Sequence, residues 1–261
     1  MNSAHECNDV ECAMNTAMSS ALSKRPDSIE PRIERYDWPA IEADLNARGY
    51  AQLPRLLSEA ECGHIAQLYA VDALFRSTIV MARHNFGRGE YRYFNYPLPE
   101  PIAPMRGMFY RLLAPIANRW HAAMQVASRF PAEHAEFIDR CHAAGQQRPT
   151  PLLLKYAAGD YNCLHQDLYG EHVFPLQVAI LLSQPERDFA GGEFVLTEQR
   201  PRMQSRVDVV PLQQGDAVVF AVHQRPVIGA RGAYRVNMRH GVSRIRSGDR
   251  CTLGIIFHDA T

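Results

Sequence analysis

The chain has 261 residues, 46% of them hydrophobic, and equal numbers of basic and acidic side chains, 28 of each. So much apolar material can bury one large core, and the zero formal charge excludes both a disordered polyelectrolyte and a protein that binds nucleic acid by bulk positive charge. No run of about eighteen apolar residues occurs and the N-terminus, MNSAHECNDVEC, is polar and acidic, so the sequence predicts a cytoplasmic protein without a membrane span or signal peptide.

In chain order, residues 1–30 mix Ser, Asn, Met and Ala without a persistent period and are expected to form a flexible tail. Residues 31–261 then read as a single domain. PAIEADLNARGY predicts a short helix closing at Gly49, YAQLPRLL a strand, and SEAECGHIAQLYA a helix opened by a capping box of Ser58 and Glu61. Residues 101–127 are apolar at helical spacing with Pro115 inside, and 131–144 continue that pattern, so 31–147 is a helical support layer. After Gln147 the segments LLLKYA, YNCLHQD, FPLQVAILLS, GEFVLTE, VDVVPL, DAVVFAV, YRVNMRHGV and CTLGIIFHD are short, β-rich and punctuated by Gly, Pro, Asp and Ser. They predict an antiparallel jelly roll over 148–261, and with the helices an α+β fold: a double-stranded, cupin-like β-helix with N-terminal supporting helices. The six cysteines (7, 12, 62, 141, 163 and 251) form no CxxC pair and read as reduced thiols.

In YNCLHQDL, His165 and Asp167 are two residues apart, which on a strand puts an imidazole and a carboxylate on one face. His134 and Glu136 have the same spacing, but on a helix that places them on opposite faces, so they cannot chelate. One more histidine would complete a facial triad, leaving three adjacent positions of an octahedral Fe(II) open. The candidates are His172, His223, His240 and His258, any of which, taken singly, also reads as an ordinary buried or capping histidine. His240 sits in a strand-like YRVNMRHGV, and ten residues on, beyond a Ser247-Gly248-Asp249 turn, Arg250 opens the next strand, where its guanidinium could clamp the far carboxylate of a bound diacid. His223 precedes what reads as a Gly-containing loop, and His258 lies almost at the terminus.

HQD, then RHGVS and the arginine of GDRCTLGIIFHD, resemble the ordered HxD…H…R signature of the 2-oxoglutarate/Fe(II) dioxygenase superfamily over roughly residues 150–260. KYAAGDYNCLHQD and the GGEF of 191–194 resemble its prolyl-hydroxylase-like branch, where a tyrosine shortly before the HxD touches 2-oxoglutarate. Tyr156 stands at that place, although it also reads as a core residue of its strand. More narrowly, YNCLHQDLYGEHVFPLQVAILL through GIIFHDA resembles a bacterial oxygenase family regarded as AlkB-like and assigned to oxidative repair of alkylated nucleic acid. The resemblance implies Fe(II) on His165, Asp167 and His240, 2-oxoglutarate on Arg250 and Tyr156, O2 as oxidant and ascorbate as activator. It also implies oxidative decarboxylation to succinate and CO2 coupled to hydroxylation of a substrate C–H bond. Manganese fits the same ligands.

For the substrate, ARHNFGRGEYRYFNYPLP interleaves Arg83, Arg88 and Arg92 with Phe86, Tyr91, Tyr93, Phe94 and Tyr96. Aromatic faces can stack on an extruded base while arginines meet its flanking phosphates, with Gly87 and Gly89 as hinges of a lid. An ordinary β-hairpin with aromatic core residues and solvated arginines fits the same letters. From Gln199 to Arg250 ten arginines face three acids, a second basic stretch. The leading expectation is demethylation of alkylated, single-stranded or damaged DNA. Hydroxylation of a prolyl or other protein side chain, hydroxylation of a small metabolite, and a non-enzymatic cupin-like binding module are the alternatives. No obligate protein partner is evident.

Overall fold

The computed structural model describes residues 28–230 and 232–261. The expected tail, with Cys7 and Cys12, lies outside them up to residue 27. Its last two residues instead open a helix, α1 (Ile29–Glu34), because Ile29 and Ile33 recur one turn apart and both are buried. Among the described residues no helix is long and apolar enough to cross a membrane, and Cys62, Cys141, Cys163 and Cys251 are free.

The first half follows its capping chemistry. In α2 (Trp38–Arg48) the Asp37 carboxylate accepts from the Ala40 N–H at 3.0 Å, and Gly49 closes the helix in the left-handed region at φ 82°. After β1 (Tyr50–Leu53), α3 (Glu59–Gln67) starts with the reciprocal Ser58/Glu61 box. Next come β2 (Phe75–Val80), β3 (Gly87–Arg88) and β4 (Glu90–Phe94). The long helix α4 (Ile102–Ala123) runs through Pro115, whose missing N–H costs about 3 kcal/mol. Burial of Leu113, Ile116 and Trp120 around it, about 1.5–3 kcal/mol for each large side chain, offsets that cost. The short α5 (His134–Ala143) closes the helical half.

The remaining strands are β5 (Leu152–Tyr156), β6 (Tyr161–His165), β7 (Leu176–Leu181), β8 (Phe189–Gly191), β9 (Phe194–Gln199), β10 (Arg206–Val210), β11 (Ala217–Ala221), β12 (Gln224–Gly229), β13 (Gly232–Val242), β14 (Ile245–Gly248) and β15 (Arg250–Ile255). With β1 to β4 they form a seven-stranded sheet in the order β1-β11-β7-β15-β5-β4-β2, a smaller one in the order β10-β9-β13-β6-β3, with β12 on the far half of β13, and a two-stranded sheet of β14 and β8. Every named strand pair is antiparallel. The larger sheet is covered on both sides, which is why β11, and β7 but for Gln177, are apolar runs with every residue buried, and not alternating strands. Outside, Leu153, Val178, Ile180, Leu253 and Ile255 share one core with Phe109, Leu113 and Trp120 of α4. Inside, Leu181, Val218 and Phe220 pack on Phe194, Leu196 and Val242 of the smaller sheet. This is the double-stranded β-helix with helices on its outer face.

Two expectations need correction. The 82–99 segment is no hinged lid: β4 is hydrogen-bonded between β2 and β5 in the larger sheet, and β3 pairs with β6. Its glycines, at φ 128° and 119°, are close-approach positions, since a Cβ on Gly87 would lie 2.3 Å from the Tyr161 carbonyl oxygen and one on Gly89 2.8 Å from the Tyr156 ring. The loop expected after His223 is the hairpin of β12 and β13, in register from Gln224 opposite Asn237 to Gly229 opposite Gly232.

A buried ionic knot joins α4 to the C-terminal segment. Arg106 donates through Nε to the Ile256 carbonyl, through Nη1 to the Tyr96 hydroxyl and through Nη2 to Asp259 Oδ1, each at 2.8 Å. The Tyr96 hydroxyl and His142 Nε2 approach Asp259 Oδ2 at 3.0 and 2.9 Å. Burial alone would raise the Asp259 carboxyl, but Arg106, His142 and Tyr96 hold it below its ordinary value. Its contribution is therefore complete above the unfolded value of about 3.9 and is lost as pH falls through the lower folded value. We expect Asp259→Ala, which leaves Arg106 buried without its counter-charge, to cost about 3–5 kcal/mol in urea unfolding at neutral pH. The difference from the parent chain should shrink as the solution is acidified below that window.

Candidate metal centre and its cavity

The strands β6 and β13 are neighbours, and their register sets the Cα of His165 opposite that of His240, so both imidazoles project between the sheets. Asp167 lies two residues on, just past the end of β6. His165 Nε2 stands 3.5 Å from Asp167 Oδ1, and His240 Nε2 3.4 Å from Asp167 Oδ2. One ligand atom from each of the three falls within 4.8 Å of the others, and no other such group of His, Cys, Asp or Glu occurs among the described residues. Asp167 and His240 are buried; His165 is partly open to the mouth.

Each donor is oriented by a neighbour. His165 Nδ1 lies 2.8 Å from the Cys163 carbonyl; since a carbonyl only accepts, Nδ1 carries the proton and Nε2 keeps its lone pair toward the centre. The His240 ring is held against Phe220, centroids 4.7 Å apart. The Tyr169 hydroxyl donates to Asp167 Oδ1 at 2.7 Å. Burial would raise the Asp167 carboxyl, but hydrogen bonds and charge from His165 and His240 hold it well below the usual carboxylate range. Burial pulls His165 down, yet the Asp167 hydrogen bond and charge outweigh it and the net shift is upward, whereas burial and the neighbouring His165 lower His240. The centre is thus a buried carboxylate held toward its anionic form between two imidazoles, a donor set that suits a divalent cation.

Behind it runs a cavity of about 250 Å³, lined by the three residues with Tyr91, Tyr93, Tyr156, Asn162, Gln177, Phe220, Arg250 and Thr252 among others. Arg250 is 2% exposed, donates through Nη1 to Thr252 Oγ1 at 2.6 Å, and has no partner for its Nε. Burial lowers its basicity, and among the described residues no carboxylate forms an ion pair with it. Tyr156 is its Cα partner on β5, with its ring 5.7 Å from the guanidinium carbon, and accepts from Asn162 Nδ2 at 3.4 Å; burial pushes the Tyr156 hydroxyl up to about 12. Gly192, at φ 63°, makes room for the arginine stem, since a Cβ there would lie 2.9 Å from Arg250 Cδ. A buried guanidinium without a counter-ion is costly, and a carboxylate matches its fork of donors.

The structure brings His165, Asp167, His240, Tyr156 and Arg250 to one cavity, together with Tyr91 and Tyr93. Of the other residues of the aromatic and arginine segment, Phe86 alone lines this cavity. Arg92 turns away to Asp72, at 2.7 Å, and the Tyr69 carbonyl, and Phe94 is fully buried and stacked on Phe75. Arg83 and Arg88 are exposed, and so is Phe86, whose ring reaches the cavity rim. His258 is bound within the core, its Nδ1 accepting from the Phe174 N–H at 3.2 Å. Sequence reasoning missed Tyr169, Asn162, Gln177 and Thr252. Thr252 was within reach, two residues from Arg250 on the same strand face; the other three needed the tertiary fold.

A model of the family described as an oxygenase catalysing oxidative methylation of damaged DNA matches residues 89–260. The uncharacterized protein Rv2227 of Mycobacterium tuberculosis is 50% identical over 167 residues, which is 64% of this chain and 72% of that protein. Among solved structures, a Pseudomonas putida prolyl-4-hydroxylase matches with TM-score 0.51 at 15% identity, over 83% of this chain and 96% of its own. An oxidoreductase of the 2OG-Fe(II) oxygenase family from Burkholderia pseudomallei matches with TM-score 0.51 at 17% identity, over 87% and 93%. A Trichoplax adhaerens prolyl hydroxylase in complex with a hypoxia inducible factor peptide matches with TM-score 0.53 at 13% identity, over 91% and 94%. At these identities the structures are similar in fold. The chain belongs to the oxygenase family described for damaged DNA.

Proposed function

We propose that the protein oxidatively demethylates N-alkylated bases in DNA, with His165, Asp167 and His240 holding Fe(II) and with Arg250 and Tyr156 holding 2-oxoglutarate. The observation that carries this reading is the pairing, in one cavity, of a two-histidine, one-carboxylate centre with a buried arginine that no carboxylate among the described residues pairs with. Oxygen donors and imidazoles in a facial set suit Fe(II), and a diacid that chelates the metal at one end satisfies the arginine at the other. When bound, iron and 2-oxoglutarate supply the oxidising chemistry, in which O2 is consumed, 2-oxoglutarate becomes succinate and CO2, and a substrate C–H is hydroxylated.

The chain's own residues bind, orient and exclude water. Arg250 and the Tyr156 hydroxyl fix the far carboxylate; Thr252 and the Gly192 backbone fix Arg250. Phe194, Phe220, Leu152 and Leu154 keep the cavity dry. At the rim Phe86, 47% exposed and stacked on His84, offers a face for a base, with Arg83 and Arg88 exposed in the same stretch for phosphates. A hydroxylated N-methyl group collapses to formaldehyde and free base, and that separates this reading from hydroxylation of a peptide or metabolite, whose alcohol is stable.

Incubation with Fe(II), 2-oxoglutarate, ascorbate and single-stranded oligonucleotides carrying N-methylated bases is expected to release succinate and formaldehyde in equal amounts. Succinate without formaldehyde would move the substrate to a peptide or metabolite. His165→Ala should abolish both metal binding and turnover. Arg250→Ala should weaken 2-oxoglutarate binding by about 10- to 1000-fold, the span of a lost charge-assisted contact, while metal affinity measured by titration is retained. Tyr169→Phe removes the hydrogen bond that orients Asp167 and is expected to lower metal affinity by about 10- to 100-fold without changing the thermal midpoint of the metal-free protein.

A further inference from the structure

Among the described residues, the smaller sheet ends on a strand with one unpaired edge. β10 stands last in the order β10-β9-β13-β6-β3 and pairs with β9 alone. Such an edge presents a row of N–H and C=O groups that a further strand can take up. Its side chains are open as well. Residues 201–207 are all exposed, and Val207 and Val209 are 59% and 55% exposed. Phe194 and Leu196 of β9 point into the core between the sheets, so the alternate residues Val195 and Thr197, paired with Val209 and Val207, lie on the outer face. The four make a patch of β-branched side chains that runs up to the open edge.

The letters of β10, Arg206-Val207-Asp208-Val209, select the strand that fits this edge. Charged side chains commonly guard an edge, because like charges set directly opposite each other repel. On β10 the two charges have opposite sign, lie on one face with Arg206 Nε 3.6 Å from Asp208 Oδ2, and make the strand complementary to itself. Laid antiparallel on a second copy about a two-fold axis through Val207, it sets Arg206 opposite the partner's Asp208, Val207 opposite the partner's Val207, and Asp208 opposite the partner's Arg206. An axis through Asp208 would set two carboxylates face to face, so charge fixes the register. Arg206 has charge to spare for the contact. Its acid neighbour Glu198, 3.8 Å from Nη2, is already paired with Arg200 and with the buried Arg225.

We propose that the protein associates as a two-fold homodimer through β10, paired antiparallel with β10 of a second copy and centred on Val207. The two smaller sheets then continue into one, with their β-branched patches side by side on its outer face. β6, which carries His165, lies three strands from β10, so the contact leaves the metal centre free and is independent of the substrate.

Sedimentation velocity of the full chain at micromolar concentration tests the contact. The wild type is expected at twice the chain mass. Arg206→Asp gives an all-acidic strand and Asp208→Arg an all-basic one. By symmetry each sets two like-charge pairs in its own dimer, and each should weaken self-association by at least about tenfold. An equimolar mixture of the two variants should recover the dimer, because the acidic strand then faces the basic one. A chain that failed to fold would not be rescued by mixing, so recovery separates a lost contact from a lost fold. A monomeric wild type, single variants that dimerise as the wild type does, or a mixture that stays monomeric overturns the proposal.

Discussion

The antiparallel pairing of β6 with β13 is the constraint from which the rest of the site follows. It sets His165 directly opposite His240, and their rings sit 4.2 Å apart between the sheets. Two imidazoles so close, with the Asp167 carboxylate within 3.5 Å of both, converge three donor atoms on one point. Such a set can hold a divalent cation, with the three donors arranged by the strand geometry. The larger sheet supplies the opposite wall of the cavity, which is why both of its faces must be buried and why the helices are needed on its back.

The buried arginines show how selectively the fold treats charge. Arg106, Arg225 and Arg250 are the largest charged side chains in the fully buried set. Arg106 is neutralised by Asp259 and Arg225 by Glu198, each with further backbone carbonyls as acceptors. Arg250 lines a cavity and, among the described residues, is paired with no carboxylate. The same cost of desolvation that makes the first two structural suits the third to pair with an anion, since burial alone leaves its charge uncompensated. Burial correspondingly lowers its basicity.

The two ends of the cavity therefore differ in character. The Arg250 end is rich in donors and suited to a diacid; the metal end is walled by aromatic rings and opens past Phe86 and Leu168 to solvent. The exposed arginines of the β3 region and of β13 and β14 surround a molecule of zero formal charge. That suits local capture of a phosphate-flanked base better than tight nonspecific binding.

The residues proposed to carry the chemistry were legible as a pattern: His165 and Asp167 two apart, His240 in a strand, Arg250 ten residues later. Local rules dictate such spacings, as they dictate the Ser58/Glu61 cap, the Gly49 stop and the apolar runs of β7 and β11. The aromatic and arginine segment was not legible in the same way, because a lid and a sheet strand share its letters. Pairing of β4 between β2 and β5 decided that Tyr91 and Tyr93 face the cavity while Arg92 and Phe94 face away. Likewise, no spacing in the chain brings Tyr169 onto Asp167, or Gln177 beside Phe220. The sequence by itself determined which side chains can bind a metal and a diacid, since that depends on residue type and strand period. Only the tertiary structure decided which polar groups are left without partners, since that depends on what the opposite sheet places against them.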